Sequence, residues 1–273
     1  MFRRELLRIV RPEPDSDRSL QLLEGVEENG FISSGLVLDP ATGKTYRVKD
    51  GYLDLLGRKI GASNVANLTN FLPGAGPLYE PLWRVYSLTL LTGEHFTNDR
   101  ELQIIAELAR LDRGGLYVDL GCSAGLYTRN LATKLGSRGD VVGIDISPSM
   151  LKEASRRTRK SAPSLARADA QDLPFRDSSF SGAVCGGSLN EFGDPTRSLR
   201  ETRRVLEPGG RMAIMGILKA QSAWGRRLQG FLTMGGVRFF EPEEVTSLLD
   251  DVGFAPDPLE TYGLAFFAGA TRR

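Results

Sequence analysis

The sequence predicts a doubly wound α/β domain with a mostly parallel sheet, preceded by a small β-rich extension. Three observations carry this expectation. From Asp99 onward the short apolar runs GLYVDL, VVGID, GAVCGGSL and RMAIMG alternate with helical stretches or loops, as in βαβ units that feed a parallel sheet. The stretch ELQIIAELARL places Leu102, Ile105, Leu108 and Leu111 at helical spacing, a stripe suited to packing on that sheet. The first apolar run also leads through small residues straight into a further helix, LYTRNLATKL, giving strand, tight turn and helix in series.

Taken in order, residues 1–60 form the extension, because FISSGLVL and TYRVKDGYLDLL are apolar runs separated by the turn-forming string DPATGK and so predict a β-hairpin. Residues 61–98 mix Asn, Gly and Pro with Phe71, Tyr79, Trp83, Tyr86 and Phe96, a composition for loops and short helices, which we read as a helical lid. Residues 99–273 form the main domain. Its first strand enters Gly121, Cys122, Ser123, Ala124 and Gly125, and Gly136 is placed to end the following helix. The second strand ends at Asp145, with Ser147 and Pro148 as N-cap and first position of the next helix. The segment RADAQDLPF precedes the fourth strand, and the turn LEPGG precedes the fifth. The insert 217–240 carries Trp224, Phe231, Arg226 and Arg227, which could roof an apolar pocket or cover the sheet edge.

Composition narrows the function. In 273 residues, 35 Lys plus Arg nearly cancel 34 Asp plus Glu, so the summed field offers no footprint for a polyanion and argues against nucleic acid. Cys122 and Cys185 can form neither a disulfide framework nor a Cys-rich zinc site, which fits a reducing, cytoplasmic setting. No stretch approaches the roughly 20 continuous apolar residues of a membrane-spanning helix, so any membrane contact would be peripheral.

The glycine turn admits several readings. The glycines could simply permit a tight βα turn. A dinucleotide fingerprint needs Gly at the first, third and sixth positions, whereas counting from Gly121 gives Gly121, Ser123 and Leu126. The turn also satisfies the G-x-S-x-G nucleophile elbow, but the single histidine, His95, lies upstream of Ser123, the wrong order for that triad. The string VDLGCSAG instead resembles the first motif of class I S-adenosylmethionine-dependent methyltransferases. VVGID then resembles their ribose-binding strand end, RADAQDLPF their adenine-contacting segment, and LEPGGR the turn before their fifth strand. The DLPF and LEPGGR strings are most similar to the subgroup that holds ubiquinone and menaquinone methyltransferases. Ser181 departs from the Asp usual in this family.

The resemblance implies a Rossmann-like, seven-stranded sheet and S-adenosylmethionine as cofactor. It assigns the cofactor contacts to Asp119, Gly121, Cys122, Ser123, Gly125, Asp145, Ile146, Asp169, Ala170 and Gly187. A carboxylate suits the ribose diol because it accepts two charge-assisted hydrogen bonds. The N-terminal hairpin resembles a degenerate zinc-ribbon or Trm112-like unit whose cysteines are absent, so no metal site is expected there. After the fourth strand stands SLNEF rather than the Pro-rich string of amine methyltransferases, which argues against base N-methylation. Glu191 and His95 are the candidate general bases for an oxygen or carbon acceptor. The expected reaction is methylation of a small, apolar or quinone-like acceptor. An rRNA base methyltransferase, and a methyltransferase-like fold used for cyclisation or as a noncatalytic partner, stand as alternatives.

Overall fold

The computed structural model describes residues 1–13, 16, 18–57 and 85–273. Phe71, Tyr79 and Trp83, with most of the expected lid, lie outside these residues. The main domain is built as the alternation predicted: α1 (Val85–Thr92), α2 (Asn98–Leu108), β6 (Gly115–Leu120), α3 (Leu126–Leu135), β7 (Gly139–Asp145), α4 (Pro148–Arg157), β8 (Ser164–Arg167), β9 (Phe180–Gly186), α5 (Pro195–Val205) and β10 (Leu206–Ile217). It closes with α6 (Ala223–Met234), α7 (Pro242–Asp251), β11 (Phe254–Pro256), β12 (Glu260–Tyr262) and β13 (Ala265–Arg272). The core strands run in the order β8-β7-β6-β9-β10-β13-β11, parallel except for β13, which enters antiparallel between β10 and β11.

The period of two along each strand sorts side chains to two helix-covered faces. Val118, Leu120, Val142, Ile144, Cys185 and Ile214 pack with α5 and α7 through Leu199, Val205, Val245 and Leu249. Tyr117, Val141, Val184 and Met215 face the other way, onto Leu88, Leu102, Ile105, Tyr127 and Leu131. Phe96, expected in the lid, belongs to this second layer, with its ring 5.9 Å from Phe267 and 5.2 Å from Tyr262.

The N-terminal segment is richer in strands than the hairpin expectation. β1 (Phe2–Arg3), β2 (Gln21–Glu28), β3 (Phe31–Leu38), β4 (Thr45–Lys49) and β5 (Tyr52–Asp54) form antiparallel pairs around β3 and β4. β5 then adds in parallel to β8, pairing Leu53 with Ala166 and Asp54 with Arg167, so the extension lengthens the core sheet into one of thirteen strands. Strand β2, QLLEGVEE, escaped prediction because its residues are mostly exposed, three of the eight are Glu, and they give no apolar alternation. Arg167 locks the junction, its guanidinium 3.2 Å from Asp54 and its Nε donating to the Ile146 carbonyl at 3.1 Å. The β3–β4 turn is closed by fully buried Asp39, which accepts from Ala41 N at 2.9 Å, Thr42 Oγ1 at 2.9 Å, and Ser16 Oγ. Burial works to raise its pKa, but these donors outweigh it and hold the carboxyl below the usual range.

Candidate functional site

The turn after β6 is held open by backbone conformations that few residues adopt. Gly121 and Gly125 have φ of +67° and +82°, and Ser123 between them has +48°. A Cβ on Gly121 would stand 2.4 Å from Ser188 Oγ, so the turn and the end of β9 meet only because that position has no side chain. Ser188 Oγ donates to the Gly121 carbonyl at 3.0 Å and ties the two strand ends together. Beneath the turn, Asp119 is 1% exposed and accepts from Thr128 Oγ1 at 2.6 Å, so it anchors the start of α3 against the strand.

Asp145 joins the first two strand ends. Its Oδ2 accepts from Ser123 N and its Oδ1 from Ser147 N, both at 2.8 Å, while Cys122 N donates to the Ile144 carbonyl at 2.8 Å. Burial pushes its pKa above the ordinary value, against the pull of those amides. Ser147 caps α4 and Pro148 opens it, as the sequence predicts. The carboxylate is thus held by backbone amides of both the glycine turn and the start of α4.

The third strand end follows directly, since Ala168 N donates to the Asp145 carbonyl at 3.1 Å. Asp169 turns its Oδ1 onto Gln171 N at 2.9 Å, and Ala170 beside it is buried. This segment is pinned from α5: Glu201 accepts from Leu173 N at 3.0 Å, and Arg204 donates to the Leu173 carbonyl at 2.8 Å while pairing with Glu201 at 2.7 Å. Neither residue stands out in the sequence, where both sit in the charged run of an amphipathic helix.

At the fourth strand end, Gly187 has φ of +86° and donates to the Met215 carbonyl at 2.8 Å. Asn190, 1% exposed, binds the Ile217 and Arg238 carbonyls at 2.9 and 2.6 Å and accepts from Ile217 N at 2.9 Å. It therefore fixes the loop carrying Glu191. Burial, and then the negative charge of Asp145, raise Glu191 to about 7. That places the carboxyl in the range suited to proton transfer near neutrality.

The sequence-derived residues from Asp119 to Gly187, and Glu191 with them, thus line the carboxyl ends of β6, β7, β8 and β9. His95 is exposed in the loop between α1 and α2, and the described residues record no hydrogen bond or ion pair linking it to this edge. Cys122 and Cys185 are unpaired and buried, with thiol pKa values driven upward first by desolvation, so they behave as small packing residues rather than nucleophiles. Trp224 and Phe231 of the insert, expected either to roof an apolar pocket or to cover the sheet edge, are 75% and 66% exposed.

Residues 118–214 match the family model described as Methyltransferase domain. Over 106 residues the chain is 39% identical to the 2-phytyl-1,4-naphtoquinone methyltransferase of Trichormus variabilis, covering 37% of this chain and 46% of that one. It is 34% identical over 110 residues to the demethylmenaquinone methyltransferase of Desulfitobacterium hafniense, covering 39% and 44% respectively. The chain therefore matches less than half the length of these curated relatives. Among solved structures it resembles an S-adenosylmethionine-dependent methyltransferase from Aquifex aeolicus, with TM-score 0.52 and 21% identity over 63% of this chain and 88% of that one. Residues 118–214 thus match a methyltransferase domain model, and the sheet that carries them has the Rossmann-like fold of these methyltransferase structures.

Proposed function

We propose that this chain transfers a methyl group from S-adenosylmethionine to an oxygen or carbon atom of a small quinone-like ring compound. The observation that carries the reading is the convergence of the glycine turn, Asp145, Asp169 and Glu191 on one sheet edge, within a domain whose relatives act on naphthoquinones and demethylmenaquinone. The residues present suit the cofactor: without side chains, Gly121 and Gly125 let the turn pack closely against Ser188 and against Ala154 and Thr158, which leaves its backbone as the contact surface, and the Asp145 carboxylate stands at the adjoining strand end as an acceptor for the ribose hydroxyls. Asp169 and the Ala170 amide suit the donor and acceptor edge of adenine. When bound, S-adenosylmethionine supplies an electrophilic methyl on a sulfonium.

The chain's own part is alignment, exclusion of water and control of one proton. Glu191 takes the proton of an acceptor hydroxyl, which raises the electron density of the ring and its oxygen. Asn190 keeps that carboxyl in place through its bonds to the ends of β10 and of the insert. Asp119 supports the turn from below. The reading includes a lipid-soluble acceptor and a reducing, cytoplasmic setting, supported by the unpaired buried thiols. No helix among the described residues is long and apolar enough to cross a membrane.

The test offers the purified chain methyl-labelled donor with 2-phytyl-1,4-naphthoquinol in one tube and total RNA in another. Label is expected in the organic phase. Label in RNA alone would overturn the reading and favour the rRNA alternative.

A further inference from the structure

Helix α6 packs the wrong way round for a helix that belongs only to a water-soluble surface. Its sequence, AWGRRLQGFLTM, places Trp224, Leu228, Phe231 and Leu232 three, four and seven positions apart, on one face. That face points outward: the four side chains are 75%, 48%, 66% and 47% exposed, and Met234 at the helix end is 83% exposed. The one buried residue of the helix is Gln229, whose amide donates to the Leu218 carbonyl at 2.9 Å and accepts from Ala220 N at 2.7 Å. The helix is thus fastened to the end of β10 by its polar side. An apolar face of this size left in water marks an interaction surface.

Charge decides what covers it. The insert 217–240 holds Lys219, Arg226, Arg227 and Arg238 and not one Asp or Glu, in a chain whose net charge is +1. Lys219 and Arg238 are paired with Glu241 and Glu244, whereas Arg226 and Arg227, both exposed, have no carboxylate partner among the described residues. A second copy seated on this face by a two-fold axis would set these cations against each other with no acid in the insert to offset them. A surface that accepts Trp, Phe and Leu beneath a layer of negative charge matches both features at once.

We propose that α6 seats the chain on an anionic phospholipid surface, with Trp224, Leu228, Phe231 and Leu232 entering the interface and Arg226 and Arg227 meeting phosphate head groups. The insert leaves and rejoins the body at one bridge, Leu218 to Phe240, so the helix stands out as a closed excursion. A groove of about 750 Å3 lies beside the helix, lined by Phe192, Lys219, Arg226, Gln229, Gly230 and Phe239, so Arg226 stands at its rim. The proposal goes beyond methyl transfer and does not depend on it, because lipid binding is read without any methyl donor.

The experiment is co-sedimentation of the full chain with phosphatidylcholine vesicles containing or lacking phosphatidylglycerol. Binding is expected on the anionic vesicles and should weaken as salt rises. Leu228→Asp with Phe231→Asp should lower binding at least tenfold, and Arg226→Gln with Arg227→Gln should lower it about fivefold per residue on anionic vesicles only. Both pairs are exposed, and an unchanged circular dichroism spectrum confirms that they fold. A Trp224-dependent blue shift of emission on adding vesicles, absent in Trp224→Phe, reports insertion. Failure of the parent chain to bind, equal binding by the Asp variant, or a lipid-free dimer in sedimentation velocity that Phe231→Asp dissolves would each overturn the proposal.

Discussion

Replacing Glu191 by Gln tests the base and the electrostatics of the site together. The carboxyl stands at about 7 instead of its ordinary 4.5, raised first by burial and then by Asp145. At about 1.36 kcal/mol for each tenfold change in proton affinity, this corresponds to an upper bound of about 3 kcal/mol between folded and unfolded chain. The folded chain holds this proton more tightly than the unfolded one. The associated stability is therefore complete below pH 4.5, declines as pH rises, and is gone above about 7. Gln carries no titrating proton, so parent and variant should unfold alike near pH 4, while the variant should be the more stable by up to about 3 kcal/mol near pH 8. Urea melts at the two pH values measure this difference. In the same variant turnover should fall by about 10²- to 10⁴-fold, with affinity for the demethylated cofactor nearly intact. The rising limb of kcat/KM near pH 7 should vanish with it. Equal stability differences at both pH values would show that Glu191 titrates normally, and unchanged turnover would leave alignment as the whole mechanism.

The other expectations are simpler. Asp145→Ala should weaken binding of S-adenosylhomocysteine at least tenfold in calorimetry, and an unchanged affinity would remove this residue from the ribose. Gly121→Ala should destabilise by about 1–3 kcal/mol through strain at positive φ and add a clash with Ser188, 2.4 Å from the new Cβ. Gly136→Ala, at φ of +55° with nothing within 4 Å, is the control that carries strain alone, and an equal loss of cofactor binding in both would discard the closely packed turn as the contact surface. Asn190→Ala removes three side-chain hydrogen bonds and should cost about 2–4 kcal/mol in denaturant melts. The N-terminal strands should fold without metal, since Asp39 closes the β3–β4 turn where thiolates would otherwise be needed. Stoichiometric zinc by elemental analysis would refute this.

The main domain was legible in the sequence because its signals are local. Strand alternation, the small-residue turn at 121–125, and Ser147 with Pro148 at the start of α4 each depend on neighbours a few positions away, and backbone sterics and capping act over that range. The carboxylates Asp119, Asp145 and Asp169 were legible for the same reason, each standing at or just beyond a strand end. What required the tertiary structure was whatever depends on contacts across the chain. Thr128 under Asp119, Ser188 over Gly121, and the Glu201–Arg204 pair behind the 169–173 segment carry no local pattern, because their partners are 9, 67 and about 30 residues away. The raised pKa of Glu191 belongs to this class too, since desolvation is a property of the packed loop and not of a pentapeptide. The same holds for the aromatics: Phe96, Trp224 and Phe231 share one composition signal, yet folding buries the first in the core and turns the other two to the outside. Sequence determines which residues are apolar and how they are spaced, and only the assembled sheet decides which of those faces finds a partner.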